Sequence, residues 1–169
     1  MCECFRGTET LGSVFWFDFE LTKGTRPLQK MRSQMDQRPL FNAHGARILV
    51  AEDNAVNQLI AVRMLEKLGA RADVAGDGNE VVDSLRNAPY DLVLMDCQMP
   101  VLDGYETSRL IRNSKTVTFR EIPIIAMTAN AMNGDREKCL EAGMNDYVTK
   151  PVRLADLSVA IEKWLTTKG

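Results

Sequence analysis

From residue 47 onward, short apolar runs alternate with helical stretches, and four of the five runs end on a side chain that carries chemistry. The run 48–51 leads into Glu52 and Asp53, 92–95 into Asp96, 122–127 into Thr128, and 147–149 into Lys150. The run Leu92-Val93-Leu94-Met95 has no polar alternation, as a central strand covered on both faces requires. Strands of this kind separated by helices predict right-handed crossovers and a doubly wound α/β layer fold. In an open parallel sheet the carboxyl ends of the strands meet at one edge, where the strand order reverses. That topology gathers the acids, the hydroxyl and the ammonium into one pocket, a set suited to a divalent metal and a phosphoryl group.

Five strands and five helices follow from the pattern. Residues 57–68 read as a helix closed by Gly69, which suits the left-handed position beyond a helix end. A weak strand at 72–75 precedes the Gly76-Asp77-Gly78 turn, and Asn79 is placed to cap the next helix, which Pro89 prevents from continuing past Asn87. A third helix spans 105–112. Pro123 opens the fourth strand, where a missing N–H is tolerated. A helix over 135–142 ends at Gly143, and the last helix, 154–165, carries Leu154, Leu157, Ile161 and Leu165 on one stripe. On the first helix, a turn of about 100° per residue places Asn57, Ala61, Met64 and Leu68 towards the sheet and Leu59, Val62 and Glu66 towards water.

The first 45 residues have a different character. Residues 13–21 alternate, with Phe15, Phe17, Phe19 and Leu21 on one face, which predicts a strand in need of a sheet. Residues 23–45 carry Gly24, Pro27, Pro39 and Gly45 and a basic excess, and read as a linker. The boundaries are therefore 1–22, 23–45 and 46–169. The chain of 169 residues is long enough for one domain with extensions. Its formal net charge of -2 gives no field that favours nucleic acid. The aromatic stretch 14–19 is too short to cross a bilayer, and Glu3 and Glu9 stand where a secretory signal needs basic residues. Cys97 and Cys139 fall inside predicted elements and read as buried thiols, and the cysteine usage suits a reducing cytoplasm.

Taken singly, each pocket residue has an ordinary explanation: a strand-end acid caps a helix, a lysine before proline is surface, a threonine packs. Their joint placement at four strand ends favours a site. Asp53 and Asp96 suit Mg2+, which prefers oxygen ligands and keeps several waters. Lys150 is a compact ammonium for a phosphoryl oxygen, and Asp96, ahead of the loop Cys97-Gln98-Met99-Pro100, is the best-presented nucleophile.

The stretch 47–165 resembles a response-regulator receiver domain. The motifs that carry the resemblance are Ile-Leu-Val-Ala-Glu-Asp-Asn (48–54), Asp-Leu-Val-Leu-Met-Asp-Cys-Gln-Met-Pro (91–100), Asp-Gly-Tyr-Glu (103–106), Ile-Pro-Ile-Ile-Ala-Met-Thr-Ala (122–129) and Asp-Tyr-Val-Thr-Lys-Pro (146–151). The resemblance implies a flavodoxin-like five-stranded receiver fold with Asp96 as phosphoacceptor. It implies Mg2+ held by Asp53, Asp96 and the main-chain carbonyl of Gln98, with Glu52 completing the acidic pair. It makes Thr128 and Lys150 the phosphoryl-sensing pair and Tyr147 the aromatic switch. Glu52 departs from the family pattern, in which many relatives carry Asp, and its extra methylene can alter the metal's water shell. The wording of the motifs is most similar to receivers fused to hybrid sensor histidine kinases. Residues 11–21 are similar to the closing strand of the ATPase domain of such kinases, so the parent chain is expected to be a longer transferase, of a kind that can be anchored in an inner membrane.

The function expected on this reading is a phosphorelay receiver that takes a phosphoryl group from phosphohistidine onto Asp96. Its expected partners are a histidine kinase core or a histidine-phosphotransfer protein, with self-association through the amino-terminal strand. His44, in Asn-Ala-His-Gly, lacks an acidic neighbour and a helical setting and reads as a linker residue. The alternatives are a phosphate-independent interaction module with the same fold, and a metal-dependent phosphatase. The phosphatase is disfavoured because Gln98 stands where those enzymes usually place a second acid.

Overall fold

The computed structural model describes residues 40–129 and 133–166. The expected amino-terminal strand, most of the linker, Cys2 and Cys4 lie outside the described residues. Five parallel strands form one sheet in the order β2-β1-β3-β4-β5. They are β1 (Arg47–Ala51), β2 (Arg71–Ala75), β3 (Leu92–Asp96), β4 (Ile124–Thr128) and β5 (Asp146–Thr149). The helices are α1 (Ala55–Lys67), α2 (Gly78–Asn87), α3 (Gly104–Arg112), α4 (Val117–Arg120), α5 (Asn133–Glu141) and α6 (Leu154–Thr166). The doubly wound α/β sheet read from the sequence is present, with a four-residue helix α4 that the sequence reading did not contain. One turn is too short to show a hydrophobic period.

The inner strands are apolar through residues 48–51 of β1, 92–95 of β3 and 124–127 of β4 because both faces are covered, whereas the edge strands β2 and β5 carry Arg71, Asp73 and Asp146. Ile48, Val50, Leu92, Leu94, Ile125 and Met127 join Ala61 and Leu65 of α1, Leu68 just beyond it, and Leu157, Ala160 and Ile161 of α6 in one core layer. Leu49, Ala51, Val93, Met95, Ile124 and Ala126 point the other way, against Val81 of α2, Ile111 of α3 and Cys139 of α5. Period-two alternation thus separates two cores rather than core from solvent. Each fully buried Leu or Ile side chain contributes about 1.5–3 kcal/mol. Residues 41–45, assigned to the linker from sequence, pack onto the same body. Phe41 lies against the α1–α6 layer, Ala43 is buried, and the Phe41 N–H donates to Ser158 Oγ at 2.9 Å.

Two local readings are corrected. Helix α2 is capped by Asp77, whose carboxylate accepts the N–H groups of Asn79 and Glu80 at 2.8 and 3.0 Å, and not by Asn79. The helix starts two residues earlier, so Asn79 is already inside it. On α1 the buried side chains are Ala61 and Leu65, with Leu68 buried at the helix end, while Asn57 is exposed and Met64 and Val62 are half-buried. The apolar residues in water are Val56, Leu59 and Ile60, at 65%, 57% and 48% exposure. The helix sits on the sheet rotated from the face chosen by sequence spacing, because Leu65 fills the core. Gly69 and Gly143 take positive φ of 76° and 86° beyond α1 and α5, as expected for those stops.

Arg112, at the end of α3, ties the far edge together without a carboxylate. Its guanidinium donates to the carbonyls of Gly143 (2.7 Å), Arg120 (2.7 Å) and Ile122 (2.9 Å) and to Asn145 Oδ1 (2.6 Å). Burial lowers its pKa. Arg112→Ala should cost about 1–3 kcal/mol in urea unfolding by orphaning several of these acceptors, and Arg112→Lys should not restore it, since a single ammonium cannot span them. Wild-type stability in either variant would refute this role.

Candidate functional site

The crossover from β1 to β2 runs one way and the sheet continues through β3 the other way, so the crevice opens between the carboxyl ends of β1 and β3. Ala51 at the end of β1 is in register with Met95, and Asp96 follows, paired with Met127 on β4. Glu52 and Asp53 leave β1 at this point. Glu52 is 2% exposed and Asp96 5%, whereas Asp53 is exposed. Lys150, just past β5, reaches back across the sheet. Its Nζ donates to Glu52 Oε2 at 2.6 Å and to Asp96 Oδ2 at 2.6 Å. Its own N–H donates to the Thr128 carbonyl at 2.7 Å, which fixes the β5 end beside β4. The Lys150–Pro151 peptide is cis.

The loop after Asp96 is shaped around that carboxylate. The Gln98 N–H donates to Asp96 Oδ1 at 3.1 Å, and the Gly104 N–H returns to the Cys97 carbonyl at 3.3 Å. A Cβ on Gly104 would overlap the Asp96 carbonyl oxygen, so only glycine lets α3 begin this close to the strand end. Val101, within the loop, is 83% exposed and holds a positive φ of 68°, an uncommon conformation for a β-branched residue.

Electrostatically the two buried carboxylates differ. Burial pushes the Glu52 carboxyl up, but hydrogen bonds from Lys150 and Asn57 outweigh it, and its pKa falls below the ordinary value. At Asp96 burial dominates over the Lys150 and Gln98 hydrogen bonds, with the Glu52 charge adding, and its pKa is raised. Burial works against the charge of Lys150, and its two carboxylate partners more than compensate, so its pKa is raised. Glu52, Asp53 and Asp96 each offer a carboxylate oxygen, and these lie within 4.8 Å of one another. Three hard oxygen donors, one of them exposed, fit Mg2+, which binds through one or two carboxylates and retains waters.

All the residues singled out from sequence occupy this end of the sheet. Glu52, Asp96 and Lys150 are in direct contact. Gln98 and Thr128 line a cavity of about 280 Å3 together with Cys97 and Tyr105. Thr128 is buried at the end of β4, and Tyr147 is half-buried on β5, packed against the second core layer. The sequence reading missed Asn57, whose Nδ2 donates to Glu52 Oε1 at 2.8 Å, and Gln58, whose Nε2 donates to the Glu52 carbonyl at 2.7 Å. A polar pair in the first turn of α1, one helical turn after an acid, was the available signal. It also missed the contact of 3.9 Å between the sulfurs of Cys97 and Cys139. Burial pushes the Cys97 thiol up to about 12, so it is no nucleophile near neutral pH. A cavity of about 630 Å3 beside Tyr90, Lys115 and Phe119 contains none of these residues.

A parallel α/β sheet that brings a lysine onto two buried acids at its switch point defines a class of small domains built to handle a phosphoryl group and its metal. The chain belongs to the response regulator receiver domain family, whose model matches residues 48–162. It is 42% identical over 156 residues to hybrid signal transduction histidine kinase K of Dictyostelium discoideum, a match covering 89% of this chain and 13% of that protein. It is 40% identical over 151 residues to histidine kinase 1 of Arabidopsis thaliana, covering 70% of this chain and 12% of that protein. The chain thus spans about an eighth of the length of these relatives. Among solved structures, the receiver domain of sensor histidine kinase PA1611 from Pseudomonas aeruginosa, with magnesium coordinated in its active-site cleft, is 48% identical. It gives a TM-score of 0.66 over 72% of this chain and 98% of that one. The receiver domain of Ssk1 from Saccharomyces cerevisiae, crystallised with the histidine phosphotransfer protein Ypd1, is 33% identical, with a TM-score of 0.68 over 78% of this chain and 94% of that one. No helix among the described residues is long and apolar enough to cross a membrane.

Proposed function

We propose that Asp96 is the phosphoacceptor of a phosphorelay. A carboxylate oxygen of Asp96 attacks the phosphorus of a phosphohistidine, the P–N bond breaks, and the imidazole leaves with the electron pair. The observation that carries this reading is the Lys150 ammonium held at 2.6 Å from both Asp96 Oδ2 and Glu52 Oε2. That fixed charge lies where a transferred phosphoryl group would need neutralising, and a loose transition state depends on positioning and electrostatics more than on further chemistry. Asp53 and Asp96, with the Gln98 carbonyl, would hold Mg2+, with Glu52 behind them; bound there, the ion neutralises charge on the phosphoryl oxygens. Magnesium in the cleft of the Pseudomonas receiver supports the assignment. Thr128 and Lys150 then form the phosphoryl-sensing pair, Thr128 moving towards the phosphoryl group and Tyr147 following as the aromatic switch. Intact mass after incubation with Mg2+ and acetyl phosphate tests the reading. One phosphoryl increment is expected, and an unmodified mass would favour an interaction module that ignores phosphate.

The partner is a histidine-phosphotransfer protein or kinase core, and the parent a hybrid sensor kinase whose transferase core lies outside this chain. Residues 1–22 would be the end of its ATPase domain, and the receiver would work in the cytoplasm. The crystallised pair of Ypd1 and the Ssk1 receiver supports the phosphotransfer partner. On α1, Val56, Leu59 and Ile60 stand at i, i+3 and i+4 and form one exposed apolar strip beside the Glu52 loop. A donor helix whose histidine must reach Asp96 passes over this strip, which would be the desolvated centre of a transient interface. Leu59→Asp should slow transfer from a phosphohistidine protein by about tenfold or more and leave phosphorylation by acetyl phosphate intact. Equal slowing with both donors would mean a damaged pocket, and no slowing would remove Leu59 from the interface.

A further inference from the structure

Glu52 is held on every polar atom. Its N–H donates to the Ala75 carbonyl of β2 at 3.0 Å, and its carbonyl accepts Gln58 Nε2 at 2.7 Å. Oε2 accepts Lys150 Nζ at 2.6 Å. Oε1 accepts Asn57 Nδ2 at 2.8 Å and, more weakly, the Asn54 N–H at 3.4 Å. Asn57 itself is exposed. It does not cap α1, because Asn54 does that, accepting the N–H groups of Val56 and Asn57. Nor is asparagine a good helix former. Neither packing nor helix formation accounts for it, and among the described residues its side chain donates to the Glu52 carboxylate.

We propose that Asn57 is a positioning residue for the phosphoryl and Mg2+ pocket, acting through Glu52. A glutamate has one more rotatable bond than an aspartate, and a buried one left loose can turn both oxygens towards Asp53 and Asp96. The Asn57 amide keeps one oxygen on α1, so that the other holds Lys150 against Asp96 and the exposed Asp53 is left to meet the metal. Gln58 does the same for the main chain of the loop. The inference rests on reading the pocket as a Mg2+-dependent phosphoacceptor site. Outer-shell partners of this kind typically change metal affinity by 10–100-fold when removed.

The test is Mg2+ titration followed by NMR on the unphosphorylated wild type, Asn57→Ala, Glu52→Ala and the double variant. Asn57→Ala should weaken Mg2+ binding by about tenfold, and should add nothing once Glu52 is Ala, because the two act as one unit. Melting of the Mg2+-free Asn57→Asp protein is the second measurement. An acid in the first turn favours a helix, so a residue serving only α1 would leave the melting temperature unchanged or raised. A residue that must donate to Glu52 would lower it. A wild type that binds no Mg2+ would overturn the reading of the pocket itself. Asn57→Ala affinity within about twofold of a binding wild type, or an equal loss with and without Glu52, would overturn the role of Asn57 alone. If Glu52→Ala abolishes binding altogether, the Asn57→Asp melt decides: an unchanged or raised temperature ends the proposal.

Discussion

Asp96→Asn is expected to abolish the mass increment from acetyl phosphate entirely, while the protein stays folded. The amide keeps the shape of the side chain and can still accept the Gln98 N–H, but it offers no anionic oxygen to phosphorus. Stability should not fall at neutral pH. The Asp96 pKa is raised by burial, so its charged form is the less favoured one in the folded protein, and a neutral amide removes that cost. The pH dependence changes with it. In the wild type, stability gained from Glu52, whose folded pKa is lowered, is present above its unfolded pKa and is lost as pH falls through the folded value. Asp96 acts in the opposite sense: its cost is present above its raised folded pKa and is relieved as pH falls through it. Asp96→Asn keeps the first limb and deletes the second, so its stability should drop more steeply on acidification. A remaining phosphoryl increment would move the acceptor elsewhere. An acid limb parallel to that of the wild type would mean that Asp96 is not perturbed as its burial indicates.

Lys150→Ala should have the largest effect on stability. It leaves two nearly buried carboxylates, Glu52 and Asp96, facing each other without the cation that holds both. Removing one member of a buried ion pair costs about 3–5 kcal/mol, and the quarter exposure of the Lys150 side chain reduces this to about 2–4 kcal/mol at neutral pH. Added Mg2+ should restore part of the loss, because a divalent ion at the same acids neutralises the repulsion, so the Mg2+-induced rise in melting temperature should exceed that of the wild type. Phosphorylation by acetyl phosphate should fall sharply even where the fold is restored by Mg2+. A Lys150→Ala protein as stable as the wild type without Mg2+ would show that the carboxylates are already protonated or solvated, and would remove the electrostatic basis of the site.

The sequence by itself determined the strands, their parallel arrangement and the end of the sheet at which chemistry gathers. Those features are local: an apolar run without alternation states that both faces are covered, and the residue after it must fall at a strand end. The placement of Glu52, Asp96, Thr128 and Lys150 was legible for that reason. What surrounds them was not. Lys150 meets Glu52 across 98 residues of chain and Asp96 across 54, and only the register of β1, β3, β4 and β5 brings those atoms to 2.6 Å. The face of α1 was likewise decided in three dimensions. Spacing alone admitted a face through Asn57 and Met64, whereas filling the core with Leu65 turned the helix, put Val56, Leu59 and Ile60 into water and aimed the Asn57 amide at Glu52. Helical periodicity fixes which residues share a face, but the volume left above the sheet decides which face goes down.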